Sequence, residues 1–222
     1  MSDSVLLAMT NGLAGREQEF ESWYGSQHLS DVVGVPLVSR GTLHTASGGE
    51  PTRWRHAAVY NVEGDPVAAL TQVFEYAAAG KVAPPEAIDQ NTVLMTGAVP
   101  ITDRIGAPHD PDNYLFLVLT NPVDGQEDEY NRWYNEEHID DVLAVPGFVG
   151  VQRFRLTPHP AMPAPEWRYL AFYEVDRNKV RETFEELAAR GGTDRMPVSP
   201  ALKQEGIVTA LYHQVSVKRK TS

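Results

Sequence analysis

The chain contains no cysteine. That removes disulfides, thiolate metal ligands and cysteine nucleophiles together. No apolar run approaches the roughly 20 residues needed to span a bilayer. The opening "MSDSVLLAMTNG" lacks a basic region, and its apolar stretch is short for a secretory signal. A cytoplasmic location is therefore expected. Basic residues are in deficit: 19 Lys and Arg stand against 30 Asp and Glu, for a net charge of −11. A phosphate-neutralising surface needs the opposite balance, so neither a nucleic acid nor a membrane is expected as a partner. There is no Gly-rich dinucleotide fingerprint, no P-loop and no Gly-x-Ser-x-Gly elbow; "GGEPT" and "RGGTDR" are turns outside a strand-to-helix setting.

What remains is ordinary in composition and unusual in pattern. The 222 residues are 42% hydrophobic and 22% charged, enough for one large domain or two small ones. The sequence says one thing twice. Val5–Pro36 aligns without a gap on Leu115–Pro146, pairing Thr10 with Thr120, Asn11 with Asn121, Trp23 with Trp133, Tyr24 with Tyr134, His28 with His138, Asp31 with Asp141 and Pro36 with Pro146. The match resumes with Trp54-Arg55 on Trp167-Arg168, Tyr60 on Tyr173, and Phe74-Glu75 on Phe184-Glu185. Fixed-period self-similarity of this kind marks a repeated structural unit.

Each half reads on one plan. Short apolar runs, "VLLAMT" and "YLFLVLT", predict buried strands. A helix-length segment follows with acids at its start, as the helix dipole favours, and Pro36 or Pro146 marks its end. Strand-like runs come next over 37–45 and 54–62, and over 148–156 and 167–175; helices are expected over 66–79 and 177–190, and closing strands over 92–99 and 206–217. The order is β-α-β-β-α-β twice, the ferredoxin-like plan, so the expected class is α+β. The division places a first repeat at 1–104, a linker at 105–112 and a second repeat at 113–222. Each sheet of that type leaves one face bare, and two can bury those faces on each other.

Two such units with "WYxxxHxxDV" in the first helix, followed by "VP", resemble the dimeric α/β-barrel superfamily, and within it the EthD-like proteins. The resemblance implies a pseudo-dimer fused in one chain, with a homodimer of that pseudo-dimer also allowed. The superfamily's activities include cofactor-free oxygenation, cyclisation, lactone isomerisation and haem chemistry, so fold alone does not choose among them. The resemblance carries a suspicion of acid–base chemistry onto His28 and His138.

The residues allow that chemistry. On a helix, Tyr130, Tyr134, His138 and Asp141 share a face, as do Phe20, Tyr24, His28 and Asp31. A histidine titrates near neutrality and both takes and gives protons. Asp31 or Asp141 would hold the imidazole, and Tyr24 or Tyr134 would donate to a developing oxyanion. Trp23 and Trp133 would hold a flat apolar substrate. A packed-helix reading accounts for the same residues by core packing. Glu136, Glu137 and Asp140 crowd His138, and nearby carboxylates should raise its pKa; with its "VPGF" ending the second copy is slightly favoured as the active one. His44, His56, Arg55 and Arg168 are further substrate-binding candidates, the arginines for a carboxylate. No third ligand accompanies His-x-x-Asp, so no metal is expected, and no cofactor. The leading expectation is a cofactor-free lyase, isomerase or cyclase acting on a small hydrophobic cyclic or aromatic metabolite. The alternatives are a cofactor-independent or haem-dependent monooxygenase and a non-catalytic hydrophobic-ligand binder.

Overall fold

The computed structural model describes residues 4–48, 52–82 and 87–220. Its strands are β1 (Ser4–Thr10), β2 (Val38–Ala46), β3 (His56–Val62), β4 (Leu94–Pro100), β5 (Ile105–Gly106), β6 (Tyr114–Pro122), β7 (Phe148–Thr157), β8 (Tyr169–Val175) and β9 (Leu202–Arg219). Its helices are α1 (Glu17–Trp23), α2 (Leu29–Val33), α3 (Pro66–Ala78), α4 (Glu127–Trp133), α5 (Ile139–Leu143) and α6 (Val180–Arg190). Most expected elements form within a few residues of their expected ends. Within the expected connector, Ile105 and Gly106 form β5 and pair with Val151 and Gly150 of β7.

Two ferredoxin-like repeats, each with its own sheet and a bare face, are not what forms. The strands make one nine-stranded sheet in the order β4-β1-β3-β2-β9-β6-β8-β7-β5, and an additional β4–β7 pairing closes the ladder. The pairings β1–β3, β1–β4, β2–β3, β2–β9, β5–β7 and β6–β8 are antiparallel. The physical reason lies at the strand edges. A free edge exposes a row of unpaired N–H and C=O groups. The 18-residue β9 is long enough for its end to continue along β2, from Ala46 opposite Tyr212 to Arg40 opposite Arg219. Pairing edges saves more backbone hydrogen bonds than stacking separate sheets would.

Backbone contacts divide the chain into two units. Unit 1 is Met1–Pro100, Arg155–Glu166 and Tyr212–Ser222; unit 2 is Ile101–Phe154 and Trp167–Leu211. In unit 1 the core gathers Leu6 of β1, Leu43 of β2, Ala58 and Tyr60 of β3, Phe20, Leu29 and Val33 of the first helical segment, and Leu70 and Val73 of α3. Each fully buried side chain of this size contributes about 1.5–3 kcal/mol. The α3 helix starts where its sequence directs. Pro66 takes the first position, where no N–H is missed, and the Asp65 carboxylate accepts from the Val67 N–H at 3.0 Å. In unit 2 the core is richer in rings: Tyr130, Trp133, Tyr134, Phe148, Tyr169 and Tyr173, with Phe116 and Phe184 packed against it.

The first helical segment of each unit is not one regular α-helix. Tyr24–His28 and Tyr134–His138 are π-helical turns, in which the N–H of Leu29 donates to the Tyr24 carbonyl and that of Ile139 to the Tyr134 carbonyl, five residues back. The wider turn brings residues four apart nearly into register along the axis. Such single turns recur at functional sites.

Candidate functional site

The π turn determines how the histidines sit. In unit 1 the His28 ring lies between two aromatic rings. Its centroid is 4.6 Å from that of Trp23, at 31°, and 4.6 Å from that of Tyr24, at 63°. In unit 2 His138 is placed the same way, 4.6 Å from Trp133 at 28° and 4.8 Å from Tyr134 at 81°.

The surroundings of the two rings then part company. A cavity of about 330 Å³ opens in unit 1 beside His28. Leu6, Ala8 and Thr10 of β1 form one wall, Tyr60 of β3 and Trp23, Tyr24 and Val32 a second, and Leu70, Val73 and Phe74 of α3 a third. Gln90 and Met95 also line it. The described lining residues include no Lys, Arg, Asp or Glu. It is an apolar chamber with a few polar groups, the usual make-up of a small-molecule site.

In unit 2 larger rings stand at two of the corresponding sequence positions. Phe116 stands in the sequence position of Leu6, Phe148 in that of Val38, and Phe184 in that of Phe74. Their rings pack on one another, with centroids 5.0 Å apart for Phe116 and Phe184 and 6.1 Å for Phe116 and Phe148. Arg153 takes the position of Leu43 and is fully buried. Its guanidinium donates to Asn131 at 3.1 Å and to Asn135, and lies 3.9 Å above the Tyr134 ring. Burying a charge without a counter-charge is costly, and here amide oxygens and ring faces offset it.

These surroundings set the protonation states. His138 does not have the raised pKa expected from its acidic neighbours. Burial foremost, and then the Arg153 charge, press it down to about 4. The carboxylates are turned elsewhere: Arg132 takes Glu129 at 2.7 Å and Glu137 at 2.8 Å, with Glu136 3.8 Å away. The His138 Nδ1 is buried and has no hydrogen-bond partner among the described residues. Asp141 has its pKa raised, chiefly by desolvation and then by the Glu137 and Asp140 charges. Asp31 is half-buried on α2 and is not among the residues lining the cavity.

The other candidates are dispersed. Trp133 is buried and donates its indole N–H to the Pro197 carbonyl at 3.3 Å. His44 is buried on β2, with Nδ1 3.3 Å from the Ala57 carbonyl. His56 is fully buried at the start of β3, with Nε2 2.8 Å from the Glu21 carboxylate and its ring 4.6 Å from Phe20. Burial lowers the His56 pKa more than Glu21 raises it. Arg55 is exposed, its N–H donating to Asn11 at 2.6 Å. Arg168 is exposed and paired with Glu127 of α4. The structure thus brings Trp23, Tyr24 and His28 to one cavity, and leaves His44, His56, Arg55 and Arg168 away from it. It adds Tyr60, which donates to the Tyr24 hydroxyl at 3.1 Å. Tyr60 is one of the residues the sequence repeats, as Tyr173, and that repetition was its only signal.

Among the described residues no group of three His, Cys, Asp or Glu side chains could hold a metal ion. No described helix is long and apolar enough to cross a membrane. A haem, which the superfamily resemblance raised, does not fit the cavity either. Its propionates would meet no Lys or Arg there, and the one lining histidine has a ring face stacked on Trp23.

No protein-family model matches the sequence. No curated protein matches it either. Solved structures do. An anthrone oxidase-like protein superposes with a TM-score of 0.69 at 12% identity, over 99% of this chain and 93% of the other. A candidate monooxygenase from Lactobacillus acidophilus NCFM gives 0.56 at 9%, over 98% and 97%. A chlorite dismutase from Candidatus Nitrospira defluvii gives 0.56 at 8%, over 95% and 91%. The descriptions of these neighbours are those of an oxidase-like protein, a monooxygenase and a dismutase, and give the lyase, isomerase and cyclase expectation no support. At such identities the likeness is one of fold, which the chain shares with its anthrone oxidase-like and monooxygenase neighbours.

Proposed function

We propose that the protein is a cofactor-independent monooxygenase acting on a small, flat, apolar aromatic compound, with the unit 1 cavity as its active site and His28 as the base. The observation that carries this reading is the placement of His28 in the wall of an otherwise apolar, aromatic-lined chamber. His138, in the favoured copy of the sequence reading, has ring-filled surroundings and a depressed pKa instead.

The chemistry needs little from the protein. His28 removes a proton from an acidic ring carbon, leaving an electron-rich carbanion that dioxygen oxidises directly. The substrate is the reductant: a CH₂ carbon becomes C=O, one oxygen atom enters the product, and the other leaves as water with the two hydrogens. An apolar chamber favours this course, because it admits dioxygen and keeps bulk water from returning the proton. Proton removal by a positioned base supplies about 10²–10⁴ in rate.

Anthrone, the compound in the description of one structural neighbour, is a suitable first substrate, since its methylene is acidified by the ring ketone. The enzyme in air should convert anthrone to anthraquinone with one dioxygen consumed per turnover, and should stop under argon. His28→Gln should lose at least about a hundredfold of the rate, while His138→Gln keeps it. Tight anthrone binding with no turnover in air would instead make the protein a binder and end the enzymatic reading.

A further inference from the structure

Resting on the reading of this cavity as the active site, we propose that Tyr60 is a positioning residue that aims the Tyr24 hydroxyl proton into the cavity, so that the substrate ring carries an acceptor oxygen, a ketone or phenolate, seated against Tyr24 and beside His28.

A phenol has one proton to give and lone pairs to receive. Tyr60 gives its proton to the Tyr24 oxygen at 3.1 Å. The Tyr24 proton then has no acceptor among the described residues, and both rings line the cavity. Both residues are almost completely buried. A buried donor left without an acceptor costs about as much as a lost hydrogen bond, and a ligand oxygen removes that cost. Burial raises the Tyr24 pKa to about 12 and raises that of Tyr60 as well, so both stay protonated and act as donors, not bases.

The position of Tyr60 is itself enforced. Gly41 faces it across the β2–β3 pairing, and a Cβ on Gly41 would lie 2.8 Å from two carbons of the Tyr60 ring. Only a glycine lets that ring lie flat against β2. The strand backbone thereby fixes Tyr60, Tyr60 fixes the direction of the Tyr24 proton, and the Tyr24 ring stands edge-on to His28. A substrate oxygen held there puts the carbons it acidifies within the neighbourhood of the base. In unit 2 the Tyr173–Tyr134 pair has the same 3.1 Å spacing, but there the Tyr134 ring lies beneath Arg153.

The test compares 9-fluorenone with fluorene, which differ by one carbonyl oxygen. Affinity is read from quenching of tryptophan fluorescence in the full chain, and hydrogen bonding from the infrared carbonyl stretch of bound fluorenone. We expect fluorenone to bind about tenfold more tightly, as one ordinary hydrogen bond supplies, with its stretch moved to lower frequency. Tyr24→Phe should abolish the preference. Tyr60→Phe, which keeps the ring but removes the bond that directs and polarises the Tyr24 hydroxyl, should reduce the shift of the stretch. Gly41→Ala, which displaces Tyr60 without removing its hydroxyl, should act in the same direction. Tyr134→Phe should change nothing. Equal affinities in the wild type, a preference that survives Tyr24→Phe, or a carbonyl stretch indifferent to both Tyr60→Phe and Gly41→Ala would each overturn the assignment. If neither compound binds, the cavity is not a site for aromatic ligands, and the reading beneath this one falls with it.

Discussion

Replacing His138 by Phe keeps an aromatic ring between Trp133 and Tyr134 and removes the only titrating group there. In the folded chain the pKa of His138 is pressed from 6.5 to about 4, by burial and by Arg153. The folded state therefore takes up the proton later than the unfolded state does. Between pH 6.5 and 4 the unfolded chain holds more protons, so stability falls as the pH is lowered through that window and levels off beneath it. At about 1.4 kcal/mol per unit the full difference is about 3 kcal/mol, of which about 2.5 kcal/mol is already lost at pH 4.5. At pH 7 almost none of it has been lost. The assay is urea unfolding of wild type and His138→Phe at pH 7 and pH 4.5, followed by tryptophan fluorescence. With a slope of about 2–3 kcal/mol per molar urea, the wild-type midpoint should drop by about 1 M more than that of the variant. Equal drops in the two proteins would show that His138 titrates as an ordinary exposed histidine, and would remove the pKa argument against His138 as the base.

Glu174 is tied to the segment that enters unit 2: its carboxylate accepts from Arg104 at 2.7 Å, His109 at 2.9 Å, the Asp110 N–H at 2.8 Å and Asn113 at 2.8 Å. Those bonds outweigh desolvation and hold its pKa near 2, so its stabilisation is complete above about pH 4.5 and is lost as the pH falls toward 2; Glu174→Gln should cost up to about 3 kcal/mol at pH 7 in urea melts. A pH 7 stability equal to wild type would count against that clamp. Leu6→Phe should place in unit 1 the ring that Phe116 places in unit 2; we expect loss of fluorene binding with stability changed by less than about 1.5 kcal/mol, and retained binding would mean that the ligand sits elsewhere. Arg153→Leu should raise the His138 pKa, because the nearby positive charge is gone; a titration by histidine NMR that does not move upward would leave burial as the sole cause.

The separate elements, though not the fold they build, could be read from the residues. Short apolar runs and turn residues located the strands, a helix was expected over 66–79 where α3 forms, and the aligned Trp-Tyr-x-x-x-His segments marked the same helical site in both halves. The assembly of the strands could not be read, because edge pairing between β2 and β9 depends on distant partners and on the length of β9 rather than on any local pattern. The π turns were equally hidden: Tyr24 to His28 has the spacing of an α-helix, and the extra residue in the turn shows only in the backbone bonds. The choice between the two histidines failed for a physical reason. Acidic neighbours in sequence suggested a raised pKa for His138, but Glu136 and Glu137 are exposed on the helix and turned to Arg132, while the group that acts on the ring is Arg153 from β7. Leu6 against Phe116 and Val38 against Phe148 read as equivalent apolar residues in a sequence.

The central claim is that ligand chemistry belongs to the cavity beside His28. It is tested most directly by histidine NMR on chain labelled at its seven histidines, titrated with 9-fluorenone. The His28 ring resonances, assigned by His28→Gln, should shift on binding, and those of His138 should stay in place. Movement of the His138 resonances with His28 unmoved would contradict the claim.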